Sequence, residues 1–215
     1  MNLRNLDDRT LRILKALVFC AALIPLGKLI GMAMQGGLGA NPVEKITHTT
    51  GWWTLSFLLM TLAVTPLRKL TGWPWPIRLR RMLGLYAFFY GSLHFATYLV
   101  LDQFFDWPAI VQDIAKRPYI TVGFPAYLLM IPLAVTSTNG MMRRLGGRRW
   151  RTLHRLVYVS ATGGVVHFWW LVKQDVREPA LFAVSLSLLL GVRIGGRLVA
   201  SLRSRRVPSI EPGHG

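Results

Sequence analysis

Apolar residues in this chain gather into runs at about 13–34, 46–67, 82–101, 119–136 and 153–172, with a weaker run at about 180–199. A hydrocarbon layer about 30 Å thick is crossed by roughly 20 residues of helix. The pattern therefore predicts an all-α integral membrane protein, a six-helix transmembrane bundle occupying 13–200 between a short N-terminal segment, 1–12, and a flexible tail, 201–215. The last run is the weakest, because only the thirteen residues Ala180 to Val192 are uncharged before Arg193 and Arg197. Both guanidinium groups would have to snorkel toward the headgroups for that helix to span. Proline and glycine punctuate the stretch around Pro74 and Pro76 and the stretch 137–151, and both read as loops.

Charge orients the bundle. Lys and Arg accumulate on the cytoplasmic side of membrane proteins. The loop 68–81 holds Arg68, Lys69, Arg78, Arg80 and Arg81 without an acid, and 137–151 holds Arg143, Arg144, Arg148, Arg149 and Arg151 without one. The alternate loops mix signs, with Glu44 and Lys45, then Asp102, Asp106, Asp113, Lys116 and Arg117, then Lys173, Asp175, Arg177 and Glu178. The basic loops are expected to be cytoplasmic, the mixed ones periplasmic, and both termini cytoplasmic, in keeping with Arg203, Arg205 and Arg206 in the tail. All eight tryptophans fall at or near expected span ends, where an amphipathic ring meets the headgroups. The first run follows Arg4, Arg9 and Arg12 but has no small-residue cleavage site, so it is expected to stay as a span rather than serve as a removed signal.

Composition agrees: 52% of residues are hydrophobic and 16% charged, too apolar for a water-exposed surface. The net charge of +17 does not point to nucleic acid, because the basic residues sit in clusters between apolar runs rather than along one polar face. A lone cysteine, Cys20, excludes an intrachain disulfide and a cysteine-ligated cluster built from this chain alone.

Ionisable side chains within spans are costly and by default face a cofactor or the protein interior. His94 in the third span and His167 in the fifth are such residues. His94 lies thirteen residues beyond Arg81 and His167 sixteen beyond Arg151, which places them roughly 20 and 24 Å from the basic flank. Two histidines at similar depth can clamp one haem iron from opposite sides. Gly91 and Gly164 each precede a histidine by three residues, on the same helix face. They leave room for a flat macrocycle or, equally, let helices pack closely. His154 lies thirteen residues before His167, about 20 Å away in height on a continuous helix, so the two cannot share an iron. It is either a ligand of a second haem, with Arg80 or Arg81 at the matching height, or an interfacial histidine. His48 opens the second span on the periplasmic side and could meet a partner, a quinone headgroup or an outer cofactor edge. His214 is expected in the disordered tail.

The stretches RRMLGLYAFFYGSLHFATY (80–98), RPYITVGFPAYLLMIPLAVTST (117–138) and RRLGGRRWRTLHRLVYVSATGGVVHFWW (143–170), with HTTGWW (48–53), resemble the MsrQ (YedZ) family. These are haem-binding membrane subunits of the bacterial methionine sulfoxide reductase system, relatives of the transmembrane parts of ferric reductases and NADPH oxidases. The resemblance runs from about residue 10 to 200. It implies a ferric reductase-like transmembrane domain in the bacterial inner membrane. The electron donor it implies is the quinone pool or a cytosolic flavin reductase, and the acceptor a periplasmic molybdopterin enzyme that reduces methionine sulfoxide in oxidised envelope proteins. The family's haem ligands match His94, His154 and His167, and its proposed arginine ligand matches Arg80. Haem b, one or two, and FMN are the implied cofactors, and no motif places the FMN. The chain ends about fifteen residues after the sixth span, which implies that electrons arrive from another molecule. Two other readings stay open: a cytochrome b anchor of a different periplasmic reductase, and a transporter or scaffold whose histidines are structural.

Overall fold

The computed structural model describes residues 6–205, which form α-helices and no strand. Helix α1 (Asp8–Met34) starts where the Asp7 side chain accepts the backbone N–H and the hydroxyl of Thr10. Helix α2 (Pro42–Thr71) follows an Asn41 cap with proline in its first turn, a position where the missing N–H costs nothing. It ends at Gly72 in the left-handed conformation, φ 71°. A short 3₁₀ turn (Trp75–Arg78) leads into α3 (Arg80–Ala96), which continues as a π-helical turn over Thr97–Asp102. Then come α4 (Trp107–Lys116), α5 (Pro118–Val135), α6 (Asn139–Leu153), α7 (Leu156–Leu171) and α8 (Arg177–Arg205).

Five of these are long and apolar enough to cross a membrane: α1, α2, α3 with its π turn, α5, and α8 as far as Gly196. The run at 153–172 becomes α7, a shorter apolar helix of 16 residues, because the chain turns at His154 and Arg155 before it starts. The run at 180–199, weakest by sequence, lies within the long α8. Residues 201–205 continue that helix, while 206–215, with Arg206 and His214, lie outside the described residues, as do Arg4 and the side chains of Arg197, Arg203 and Arg205.

The stretches expected to be loops hold helix. Over 137–151, Thr138 caps α6 by accepting the Met141 N–H at 3.1 Å, and the helix survives its glycines by bending once, at Gly146 (φ 73°, ψ 151°). Its five arginines from Arg143 to Arg151 are exposed. Over 68–81, α2 persists to Thr71 and the Pro74–Pro76 stretch winds into the 3₁₀ turn, where proline's fixed φ is compatible with helix. The mixed-charge loop after α3 contains α4, capped by the Asp106 side chain.

The core lies between α2, α3, α7 and α8, with Leu55, Leu62, Ala87, Tyr90, Ala161 and Phe182 among its buried residues. The α2–α3 and α5–α7 pairs make the most extensive helix contacts. Small residues permit the second pairing: a Cβ on Gly163 would stand 2.9 Å from Ala126 Cβ, and Ser160 donates to the Ala126 carbonyl at 2.8 Å. Helix α1 stands at the edge, with Leu17, Ile24 and Ile30 exposed. Tyr86 and Tyr90 tether it by donating their hydroxyls to the carbonyls of Phe19 (3.0 Å) and Ala22 (2.8 Å).

Arg193 does not snorkel. It is 8% exposed, its guanidinium lies 5.6 Å from the centre of the Tyr158 ring, and it donates to Leu189 O at 3.0 Å and to Leu62 O. The last contact has a covalent cause. Leu62 O would accept from residue 66 in an uninterrupted helix, but residue 66 is proline and has no N–H. In a bilayer an orphaned carbonyl has no water to turn to, so Arg193 supplies the donor and ties α8 to α2. Arg193→Met should therefore destabilise the detergent-solubilised protein by about 1–3 kcal/mol, read as a lower melting temperature. Adding Pro66→Ala, which returns the missing N–H, should recover part of that loss; a double variant no more stable than the single one would refute the link.

Candidate functional site

His94 stands in the last turn of α3 and His167 in the last third of α7, and the fold brings their rings together, centroids 6.0 Å apart and planes crossed at 84°. Each ring is anchored through Nδ1 on a backbone carbonyl of the helix packed beside it: His94 on Thr47 O of α2 at 2.9 Å, His167 on Tyr119 O of α5 at 2.7 Å. A carbonyl only accepts, so Nδ1 carries the proton and Nε2 has the lone pair. That leaves Nε2 of both rings with a lone pair able to bind a metal.

The pair suits an iron that brings its own equatorial ligands. Among the described residues no group of three or more His, Cys, Asp or Glu could hold a metal ion, so two imidazoles alone cannot complete a tetrahedral or octahedral protein site. A metal–imidazole bond of about 2 Å on each side sets ring centroids about 6 Å apart, which is the separation found. Haem, whose macrocycle supplies four nitrogens, fits this donor set.

Two glycines that the sequence reading passed over stand against these rings. A Cβ on Gly51 of α2 would lie 3.0 Å from His94 Nδ1 and Cε1, and one on Gly123 of α5 would overlap His167 Nδ1 and lie 2.9 Å from Cγ. Gly51 sits in the HTTGWW motif, but its spacing from His94 is tertiary and leaves no local signal. Gly91 and Gly164 look elsewhere. A Cβ on Gly91 would meet Thr54 Cγ2 at 3.4 Å and Tyr127 Cδ2 at 3.6 Å, and one on Gly164 would stand 2.8 Å from Leu55 Cδ2. Both positions therefore face helix-packing contacts with neighbouring side chains.

The entry to α5 is braced from outside the bundle. Arg117, just before α5, pairs with Asp113 of α4 at 3.1 Å and donates to the Tyr119 hydroxyl at 3.2 Å. That hydroxyl raises the Arg117 pKa further above its already high value. Tyr119 is the residue whose carbonyl holds His167. His48, expected to open the second span, lies inside α2, half exposed, with Nε2 3.6 Å from Glu178 Oε2 at the start of α8 and its ring 5.9 Å from Phe168.

A second site lies toward the arginine-bearing end. A cavity of about 280 Å³ is lined by Arg80, Arg81, Phe88, Ser137, Trp150 and His154, among others, so the structure unites the His154 and Arg80 picked out from sequence. His154 is the residue that closes α6, not a member of the helix bearing His167. Its ring stacks on Trp150 at 3.9 Å and Nε2 lies 3.1 Å from Thr136 Oγ1, while Trp150 donates to Thr136 O at 2.9 Å. Between the two sites runs a file of aromatic rings: Phe88, which borders the cavity, stacks on Tyr127 (6.0 Å, 4°), and Tyr127 stacks on Phe95 (5.1 Å, 23°), the neighbour of His94.

Residues 50–165 match the family described as ferric reductase like transmembrane component. The chain is 56% identical over 186 residues to a protein-methionine-sulfoxide reductase heme-binding subunit MsrQ of Herminiimonas arsenicoxydans, covering 86% of this chain and 85% of that one. It is 53% identical over 191 residues to the protein of the same name from Ralstonia nicotianae, with 88% of each chain covered, and 55% identical over 201 residues to that of Rhodospirillum rubrum, with 94% of each covered.

Because α5 and α7 meet through Gly163, widening that contact should spoil the histidine pair without touching a ligand. Gly163→Val is expected to lower the ratio of haem to protein absorbance in purified protein, and an undiminished ratio would show that the close α5–α7 contact is dispensable.

Proposed function

Since this chain belongs to the ferric reductase-like transmembrane family, and within it to the MsrQ haem-binding subunits, we propose that it is the membrane cytochrome that delivers electrons to a periplasmic molybdopterin methionine sulfoxide reductase. The observation that carries this reading is the crossed His94–His167 pair, each ring fixed through Nδ1 with Nε2 left for iron. A bound haem b supplies reversible one-electron chemistry at that point. The chain's part would be to hold the group through His94 and His167, to bury the site between α2, α3, α5 and α7, and to fix its distance from either surface. Reduction of a methionine sulfoxide to the thioether takes two electrons and two protons and releases water, so the acceptor subunit must collect two single-electron deliveries.

In this reading α1, α2, α3, α5, α7 and α8 are the six spans, α7 being shielded by its neighbours, and both termini are cytoplasmic. The exposed arginines of α6 then lie at the inner leaflet, where they also suit anionic lipid. The cavity bordered by Arg80, Arg81 and His154 becomes the cytoplasmic intake. Its cationic edge suits an anionic cofactor, either the propionates of a second haem, with His154 as ligand, or the phosphate of FMN. Electrons reach it from the quinone pool or a cytosolic flavin reductase. His48 and Glu178, at the opposite end, lie on the side where the periplasmic partner would dock.

Absorption spectra of protein purified from haem-replete cells, oxidised and dithionite-reduced, test this directly. Wild type should show sharp low-spin b-type bands, His94→Ala and His167→Ala should lose them, and His154→Ala should lose only a fraction. Adding the periplasmic reductase and a methionine sulfoxide peptide should reoxidise the reduced protein. A colourless wild type would sink the cytochrome reading, and a reduced protein indifferent to the reductase would sink the partner assignment.

A further inference from the structure

The two histidines are seated by one device used twice. Each donates from Nδ1 to a carbonyl of the adjoining helix, and in both helices the residue four positions beyond that carbonyl is glycine: Thr47 with Gly51, Tyr119 with Gly123. In a helix the residue at i+4 lies one turn above residue i on the same face, so its Cβ is the atom that would occupy the approach to the carbonyl of residue i. At both sites that is where the imidazole lies, since an added methyl would come to 3.0 Å from His94 Nδ1 and would overlap His167 Nδ1. The two instances sit in different helix pairs, α2–α3 and α5–α7, which are the most extensively packed pairs in the bundle.

We propose that Gly51 and Gly123 are positioning residues for the haem ligands: by leaving the carbonyl accessible, they set the rotation of each imidazole about its metal-binding axis and thereby the crossed ligand planes. Two properties follow from general coordination chemistry. A hydrogen bond from Nδ1–H to a carbonyl raises the basicity of Nε2, which favours ferric over ferrous iron and lowers the potential. Ligand planes near 84° leave two iron d orbitals nearly degenerate, giving the ferric state a highly anisotropic low-spin resonance with a large maximum g value. An alanine at either glycine must turn or tilt its ring, lengthening the hydrogen bond and moving the planes away from perpendicular.

The inference rests on the His94–His167 haem reading and is tested separately from it. Haem-loaded Gly51→Ala and Gly123→Ala proteins are compared with wild type by redox titration and low-temperature electron paramagnetic resonance. Gly191→Ala, where a Cβ on α8 meets nothing within 4 Å, serves as the control. Both glycine variants should show a higher midpoint potential and a smaller maximum g value, with the control unchanged. If Gly123→Ala, the tighter site, fails to assemble, Gly51→Ala decides alone, because its 3.0 Å contact can be relieved by ring rotation. Wild-type potential and wild-type g values in a haem-loaded Gly51→Ala protein would overturn the proposal while leaving the cytochrome reading intact. Absence of any low-spin signal from wild type would instead remove the haem reading on which it stands.

Discussion

Side-chain donors that settle on helix carbonyls recur wherever this bundle has something to hold. Within a bilayer a backbone oxygen has only protein to bond, and a hydrogen bond formed there faces little competition from solvent. Tyr86 and Tyr90 use such bonds to retain α1, Arg193 to tie α8 to α2, Ser160 to close α5 on α7, and His94 and His167 to take their stance between helices. The same kind of contact therefore serves assembly and, on the proposed haem reading, cofactor geometry. At Arg193 a proline sets where it occurs, by removing a donor, and at His94 and His167 a glycine does so, by clearing an approach.

This arrangement separates the site's two requirements. Position along the membrane normal is set by helix length and by where each basic flank begins, whereas ring orientation is set by the neighbouring helix. The α4 brace, with Arg117 held between Asp113 and Tyr119, extends that control to the mixed-charge surface. Toward the arginine-bearing end, Trp150 and Thr136 give His154 a stacked and hydrogen-bonded seat of a different kind. One chain thus carries two histidine environments joined by the Phe88–Tyr127–Phe95 file.

Helix placement was legible because apolar runs of bilayer length have few other uses, and His94 and His167 stood out because an ionisable group in such a run needs a reason. Their similar depth was suggested by counting from Arg81 and Arg151, although the second count crosses the turn at His154 and Arg155. The helical nature of 137–151 was hidden by its glycines, since a single left-handed residue at Gly146 interrupts a helix without abolishing it. The inward turn of Arg193 was hidden because its cause, Pro66, lies 127 residues earlier in the chain. Gly51 and Gly123 escaped for the same reason: a glycine's importance to a ring on another helix depends on tertiary distance. Gly91 and Gly164, conspicuous beside their histidines, turn toward packing contacts because i−3 proximity along a helix does not decide which neighbour fills the space.

The pairing of α2 with α3 and of α5 with α7 also bears on how the protein is made. Each pair completes one histidine's seat without the other, so a chain emerging from the ribosome and entering the membrane carries a finished His94 hairpin well before α7 has been synthesised. The second seat forms only after α4 and α6 have been laid down at the surfaces. On the proposed haem reading, cofactor capture would wait for a late stage of insertion, when the two halves come together, and the porphyrin would be the staple between them.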